Sequence, residues 1–223
     1  MRPSFGIILF ATHLLATDAS AGAWLRETGS SFTATSFSGS YFLDTSQSTY
    51  IEFGLRDNLT LGADINFYNS RLGQQSGHAT LFVRMPIGAT DSDNRWAYEL
   101  GIGATWAGEF YYPHVRAGLS WGRSVKWNDH SGWMAVDASV RRDIGIDTTV
   151  TKIDSTIGID FTPVTTGMLQ LFVTHDPAGA KAKLAPSVVI SPSFSKFRFQ
   201  IGTETPLGSP RDTAIKIGLW RSF

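Results

Sequence analysis

From residue 31 to its last residue the chain alternates apolar and polar positions in stretches of about ten, divided by short polar or Gly/Pro-containing turns. The clearest unit runs from Thr49 to Tyr68. Ile51, Phe53 and Leu55 share one face, with Glu52 and Gly54 on the other. Arg56-Asp57-Asn58 makes a tight turn, after which Leu59, Leu61, Ala63, Ile65 and Phe67 alternate with Thr60, Gly62, Asp64 and Asn66. A period of two residues, sustained this long, predicts β-strand and excludes the 3.6-residue period of a helix. The same rule predicts about twelve strands, near 31–38, 49–55, 59–68, 78–85, 96–106, 112–121, 132–141, 150–161, 168–174, 183–190, 196–205 and 213–223. No stretch after residue 22 has a helical period.

A soluble sandwich and a membrane barrel both alternate, so the composition of the two faces has to separate them. One face carries Leu81, Val83 and Met85, then Leu100 and Ile102, Val115 and Leu119, Met134 and Val136, Ile153 and Ile157, Phe199 and Ile201, Ile215 and Ile217. The other carries nearly all mid-strand charge: Glu52, Asp64, Arg84, Glu99, Arg116, Asp137, Arg141, Lys152, Asp154, Asp160, Arg198, Glu204 and Lys216. Small residues fill in between these charges, among them Gly62, Gly101, Gly103, Gly118, Gly158 and Gly202. Small side chains interleaved with acids and bases suit the inner wall of a closed sheet, where side chains converge and opposite charges pair. A charge turned toward lipid costs about 2–4 kcal/mol near the bilayer midplane, so its confinement to one face is what a barrel requires. Trp96, Trp106, Trp121, Phe67 and Phe161 sit at strand ends on the apolar face, the levels of the interfacial aromatic girdles. The fold class expected is therefore all-β: a transmembrane antiparallel up-and-down β-barrel of about 12 strands.

Charge and composition narrow the function classes. Lys and Arg total 19, as do Asp and Glu, so the formal net charge is zero, which disfavours a nucleic-acid surface. The chain has no cysteine, which removes disulfides and thiolate metal sites. Arg2, the apolar stretch Phe5–Leu15 and the small-residue triplet Ala19-Ser20-Ala21 form a secretory signal pattern, with cleavage expected after Ala21. A buried helix of a cytosolic protein is the competing reading of that stretch. The expected organisation is a signal peptide, 1–21, and one barrel domain, 22–223, placed in the cell outer membrane of a Gram-negative-type bacterium with both termini in the periplasm.

The final strand, Ile215-Lys216-Ile217-Gly218-Leu219-Trp220-Arg221-Ser222-Phe223, resembles the terminal strand of bacterial outer-membrane barrel proteins. Those end in an aromatic residue preceded by alternating apolar positions. The position three from the end is Arg221, where that family often has an aromatic residue. The resemblance implies that Phe223 is the assembly signal, read by the barrel-assembly machinery, with outer-membrane lipid as the other partner. Gly22-Ala23-Trp24 and Phe53-Gly54-Leu55-Arg56-Asp57-Asn58-Leu59-Thr60-Leu61-Gly62 are similar to small proteobacterial barrels of the porin-like class, which carries no catalytic motif that maps here.

Candidate chemistry is sparse. A serine–histidine site needs both groups within hydrogen-bond reach and a third to orient the histidine. After residue 21 the histidines are His78, His114, His130 and His175; His78 and His175 are both read at the outer rim, the one placement that leaves a lipid hydrolase open. Asp143 with Asp147, and Asp91 with Asp93, are acidic loop pairs best explained by solvation, and no cofactor or metal is expected. The function expected is a narrow passive channel for small solutes, since about twelve strands lie between side-chain-filled eight-stranded barrels and water-filled sixteen-stranded porins. Mixed signs on the inner face predict weak ion selectivity. A closed structural or adhesive barrel and an outer-membrane lipid hydrolase are the alternatives.

Overall fold

A computed structural model describes residues 22–90 and 92–223; the segment read as a signal peptide and Asp91 lie outside the described residues. Twelve antiparallel strands close into one barrel, each hydrogen-bonded to its sequence neighbours, with the last strand paired to the first. They are β1 (Ser31–Ser40), β2 (Thr45–Arg56), β3 (Leu59–Asn69), β4 (Gln75–Ile87), β5 (Asn94–Ala107) and β6 (Phe110–Trp127). The second half continues with β7 (His130–Asp143), β8 (Thr148–Thr162), β9 (Thr165–Asp176), β10 (Gly179–Ile190), β11 (Phe197–Pro206) and β12 (Ala214–Ser222). A single 3₁₀ turn, Pro210–Asp212, interrupts the β11–β12 connection. The seam pairs Phe32 with Ser222 and Ser40 with Ala214, and hydrogen bonds in both directions between Ser31 and Phe223 extend it.

The faces follow from the pleat. Leu81, Ile102, Val115, Ile201, Ile215 and Ile217 point outward and are exposed, two-thirds so at Leu81, Ile102 and Ile215. An apolar outer surface this continuous fits hydrocarbon rather than water. Aromatic pairs lie at two levels: Phe67 with Trp106, ring centroids 5.1 Å apart, at one end, and Trp96 with Trp121, 6.5 Å apart, at the other.

Strands run longer than their apolar alternation. The stretch Gly122–Ser131 reads as a link, yet β6 continues to Trp127 and turns at Asn128-Asp129, where Asn128 takes a left-handed conformation (φ 54°). Both faces of that extension are largely exposed, so selection for one apolar face ends while strand pairing continues. Likewise the link read at Pro86–Arg95 shrinks to 88–93. Connections are short at both mouths, so no hairpin loop forms a plug. One mouth holds Phe223 and the turns after β2, β4, β6, β8 and β10; we call it the terminal mouth, and the opposite one the hairpin mouth.

The nine residues Gly22–Ser30 form no strand and instead fold back into the barrel from the terminal mouth. Gly29 N–H donates to the Gly54 carbonyl at 2.8 Å, and Gly54 N–H to the Ser30 carbonyl at 2.9 Å, which pins the strap where it leaves β1. Ala23 and Trp24 are buried in a cluster with Phe32, Trp133, Ala135, Met168, Val189 and Trp220. The barrel's apolar core is thus inside the lumen near its terminal mouth, and a polar inner wall is only half the picture.

Candidate functional site: the barrel lumen

The inner wall formed by β2–β6 carries a continuous ladder of ion pairs. Arg26 of the strap donates through Nε to Glu52 Oε2 at 2.6 Å. Arg84 bonds the other oxygen of Glu52 and, through its second terminal nitrogen, Glu99 Oε2 at 2.7 Å. Arg116 continues the ladder to Glu99 Oε1 at 2.7 Å and to Asp64 Oδ2 at 2.6 Å. Tyr50 donates its hydroxyl hydrogen to Glu52 at 2.7 Å and accepts from Arg84 at 2.8 Å. Below the guanidinium groups of Arg84 and Arg116 lies the Phe82 ring, 5.0 and 5.4 Å from them, itself stacked on Tyr50. Arg84 and Arg116 each therefore sit between two acids, which is the arrangement that makes burial of charge tolerable. Geometry on the pleat sets these spacings: Arg84 and Glu99 are direct cross-strand partners, and Gly62 leaves room for the Phe82 ring beneath the guanidinium groups.

A second group lies toward the hairpin mouth. His114, 2 % exposed, contacts Thr80 Oγ1 at 2.9 Å through Nε2 and Thr105 Oγ1 at 3.0 Å through Nδ1. Thr105 donates to Asp143 at 2.7 Å, and Asp143 also faces Arg141 at 3.4 Å. Asp143 is therefore a buried lumen residue, not half of a solvated loop pair; its former companion Asp147 pairs outside with Arg142. The reason is parity: Asp143 ends β7 on the inward face, and Asp147 lies in the loop beyond. Thr80, His114 and Asp143 have the contacts of a hydroxyl–imidazole–carboxylate relay. A nucleophile must meet its substrate, and Thr80 is 1 % exposed, so the group braces the wall.

The hydrolase placement of His78 and His175 is corrected. His78 points into the lumen, 3.8 Å from Asp64 and 3.3 Å from Asn66, with its ring 6.3 Å from that of His114. His175 is an exposed residue on the outward parity of β9. The two histidines stand on opposite faces of the sheet. His130 opens β7 and contacts the Asp160 carbonyl at 3.0 Å. Among the described residues no three His, Asp or Glu side chains converge as a metal-holding group.

The opposite wall is looser. Lys152 pairs with Asp154 at 2.7 Å, and Lys216 with Glu204 at 3.1 Å, with Lys183 3.9 Å from the same carboxylate. The ammonium groups of Lys152 and Lys216 flank the Phe172 ring at 5.7 and 5.5 Å. Lys152 and Lys183 face inward with about half of each side chain exposed (49 % and 50 %), so this side of the wall is less tightly filled than the Arg84 ladder. Asp160 accepts from Thr166 at 2.6 Å, Asp137 faces Asp154 across the β7–β8 ladder, and Arg198 shares its face with Gln200 and Trp220. Phe223 is exposed at the terminal mouth with the Arg221 guanidinium 4.0 Å from its ring.

The strap was not legible as part of this site, since Gly22–Ser30 has no period. Its fit depends on two glycines. A Cβ at Gly122 would collide with the Trp24 ring, and one at Gly54 with the carbonyls of Arg26 and Glu27. Arg26 N–H also donates to Thr60 Oγ1 at 3.1 Å.

No protein-family model and no curated protein matches the chain. Solved structures do. A KdgM porin superposes with a TM-score of 0.59 at 10 % identity, over 86 % of this chain and 99 % of that one. An outer membrane channel from Pseudomonas putida F1 gives 0.56 at 10 % identity, over 92 % of this chain and 100 % of that one. A NanC porin gives 0.53 at 11 % identity, over 86 % and 98 %. The β domain of the Bordetella autotransporter BrkA reaches 0.52 at 11 % identity, over 87 % and 98 %, so the likeness carries architecture and not cargo. In fold, the protein is a closed twelve-stranded antiparallel β-barrel, similar to the barrels of outer-membrane porins and channels.

Proposed function

We propose that the barrel is a narrow passive channel for small polar solutes, lying in the outer membrane with lipid against its apolar face and the strap across its periplasmic mouth. The observation that carries this reading is the pair of inward-facing, half-exposed lysines, Lys152 and Lys183, on the less tightly filled side of the lumen. Similarity to porins and a channel supports it; one of those porins is named in complex with oligogalacturonate, a polyanion. In this chain acids accompany the bases on every part of the wall, so the lumen favours neither sign strongly.

Passage narrows where Trp24 packs against Trp133, Phe32, Met168 and Trp220, an apolar constriction of the sort that closes a pore by excluding water. The pore-lining charges of this reading are Glu52, Asp64, Arg84, Glu99, Arg116, Asp137, Arg141, Lys152, Asp154, Asp160, Arg198, Glu204 and Lys216. Single-channel recording in planar bilayers tests it. Small unitary currents with weak preference between potassium and chloride are expected from the wild-type barrel, and larger or longer openings from Trp24→Ala. A barrel that stays silent in both forms defeats the channel reading.

A further inference from the structure

We infer that cleavage after Ala21 creates an internal ligand: the new α-ammonium of Gly22 docks on Asp137 inside the barrel and latches the strap Gly22–Ser30 in the lumen.

Three features of the lumen carry this. First, Gly22 is buried at the deep end of the strap, against charged groups: a Cβ built on it would lie 2.6 Å from Asp137 Oδ1, 2.5 Å from Ser120 Oγ and 3.0 Å from Arg84 Cζ. Second, Asp137 and Asp154 are direct cross-strand partners on the inner face, a juxtaposition of like charges that a sheet tolerates poorly. Lys152 pairs with Asp154, whereas among the described residues Asp137 has no ion pair; the buried Oδ1 of each carboxylate accepts no hydrogen bond there. Of the nitrogens of Arg84, the two terminal ones already bond Glu52, Tyr50 and Glu99, and the buried Nε has no hydrogen-bond partner among the described residues. Third, this position needs a compact cation with several N–H donors and no side chain, which describes the ammonium of an N-terminal glycine. Buried carboxylate oxygens without a partner are costly, and a charge-assisted bond at that position removes the cost.

The rest of the strap is built to be held rather than to hold itself. Arg26 pairs with Glu52, Thr28 donates to Asp57 at 2.5 Å, and Trp24 fills the space over Gly122, but between Gly22 and Trp24 no hydrogen bond to the wall is present in the described residues. Without the latch the first three residues would be tethered only by the apolar packing of Ala23 and Trp24.

The inference depends on the cleavage position and on the geometry at Asp137, and not on solute passage, so it stands or falls separately from the channel reading. The test uses the protein purified from outer membranes in detergent. Mass spectrometry of its N-terminal peptide should begin at Gly22. An amine-acylating ester should leave that α-amine unmodified in the folded barrel and modify it fully after thermal unfolding. In Asp137→Asn, trypsin should cut after Arg26 faster than in wild type, on the order of tenfold, because cleavage tracks the population of the released strap. A mature chain starting elsewhere, an α-amine equally reactive in folded and unfolded protein, or an unchanged cleavage rate in Asp137→Asn overturns the proposal. Should Asp137→Asn not fold, shown by loss of the heat-dependent gel shift, amine reactivity of the wild type decides alone.

Discussion

Arg84 is the residue on which most of the lumen's polar order converges. It is 4 % exposed and lies between Glu52 at 2 % and Glu99 at 7 %, so removing it would take one of two cationic partners from each carboxylate, leaving Glu52 to Arg26 and Glu99 to Arg116 in a tightly packed wall. Breaking a buried pair by deleting one partner typically costs about 3–5 kcal/mol, more than the pair contributes when intact, because the remaining charge has lost its compensation. Arg84→Met should therefore lower stability by about that amount in urea titrations of the detergent-folded barrel. Adding Glu52→Gln to the same chain should restore part of the loss, since one under-compensated charge is neutralised. Equal stability of the single and double variants would mean that Glu52 is held by Arg26 well enough to ignore Arg84. Arg26 itself reaches Glu52 only through the strap, which ties the ladder to the N-terminal segment.

Within one strand, the two faces obey different rules, and β4 and β9 show it. Leu81 on β4 is 66 % exposed on the outward face, so Leu81→Arg should cost about 2–4 kcal/mol in unfolding measurements on the barrel in lipid vesicles. Gln170 on β9 points inward and donates to Thr156 at 3.3 Å, in the half of the lumen that is loosely filled. Gln170→Arg should change stability by less than about 1 kcal/mol and move ion preference toward anions, read from reversal potentials under a salt gradient. This difference between faces was legible in the sequence because alternation is a local property: most strands show an outward row of Leu, Ile, Val and Phe, and β1, whose outward positions are Thr33, Thr35, Phe37 and Gly39, is the weak one. Two things were not. Trp133, Met168, Val189 and Trp220 lie on the inward parity and are apolar, but following the charged residues alone hides a core that sits inside the barrel. The other is the strap, whose fold is written in the small residues it packs on, Gly54 and Gly122, far along the chain from Trp24. Period analysis reads neighbours, and a strap inside a barrel has none of its own. Asp143 was missed for a related reason: a strand end beyond the apolar band looks like a loop until its partner strand is known.

At the scale of the whole molecule, eleven of the pairings join consecutive strands, and one joins β1 to β12 across the length of the chain. That seam bears the largest loop-closure cost and is the last that local contacts can help to form. Until it closes, two strand edges with unpaired N–H and C=O groups face the bilayer, where water cannot satisfy them. The seam is held by the backbone ladder from Phe32–Ser222 to Ser40–Ala214 and by the Phe32–Trp220 edge contact, ring centroids 6.5 Å apart, within the inner apolar cluster. Phe223 lies outside that set: its ring is 58 % exposed, and it adds only the two backbone bonds to Ser31. These facts separate two jobs that a C-terminal aromatic residue could have. If it acts as the signal read by the assembly machinery, deleting Phe223 should leave refolding into detergent micelles nearly intact, with melting temperature lowered by only a few degrees, about what a loss near 1 kcal/mol produces. In cells the same deletion should sharply reduce the folded, heat-modifiable barrel recovered from outer membranes. Trp220→Ala should do the reverse in the test tube, weakening the refolded barrel by about 3–5 kcal/mol through the cavity left at the seam. Equal defects in micelles and in cells for the Phe223 deletion would assign that residue to barrel stability and leave recognition to the strand preceding it.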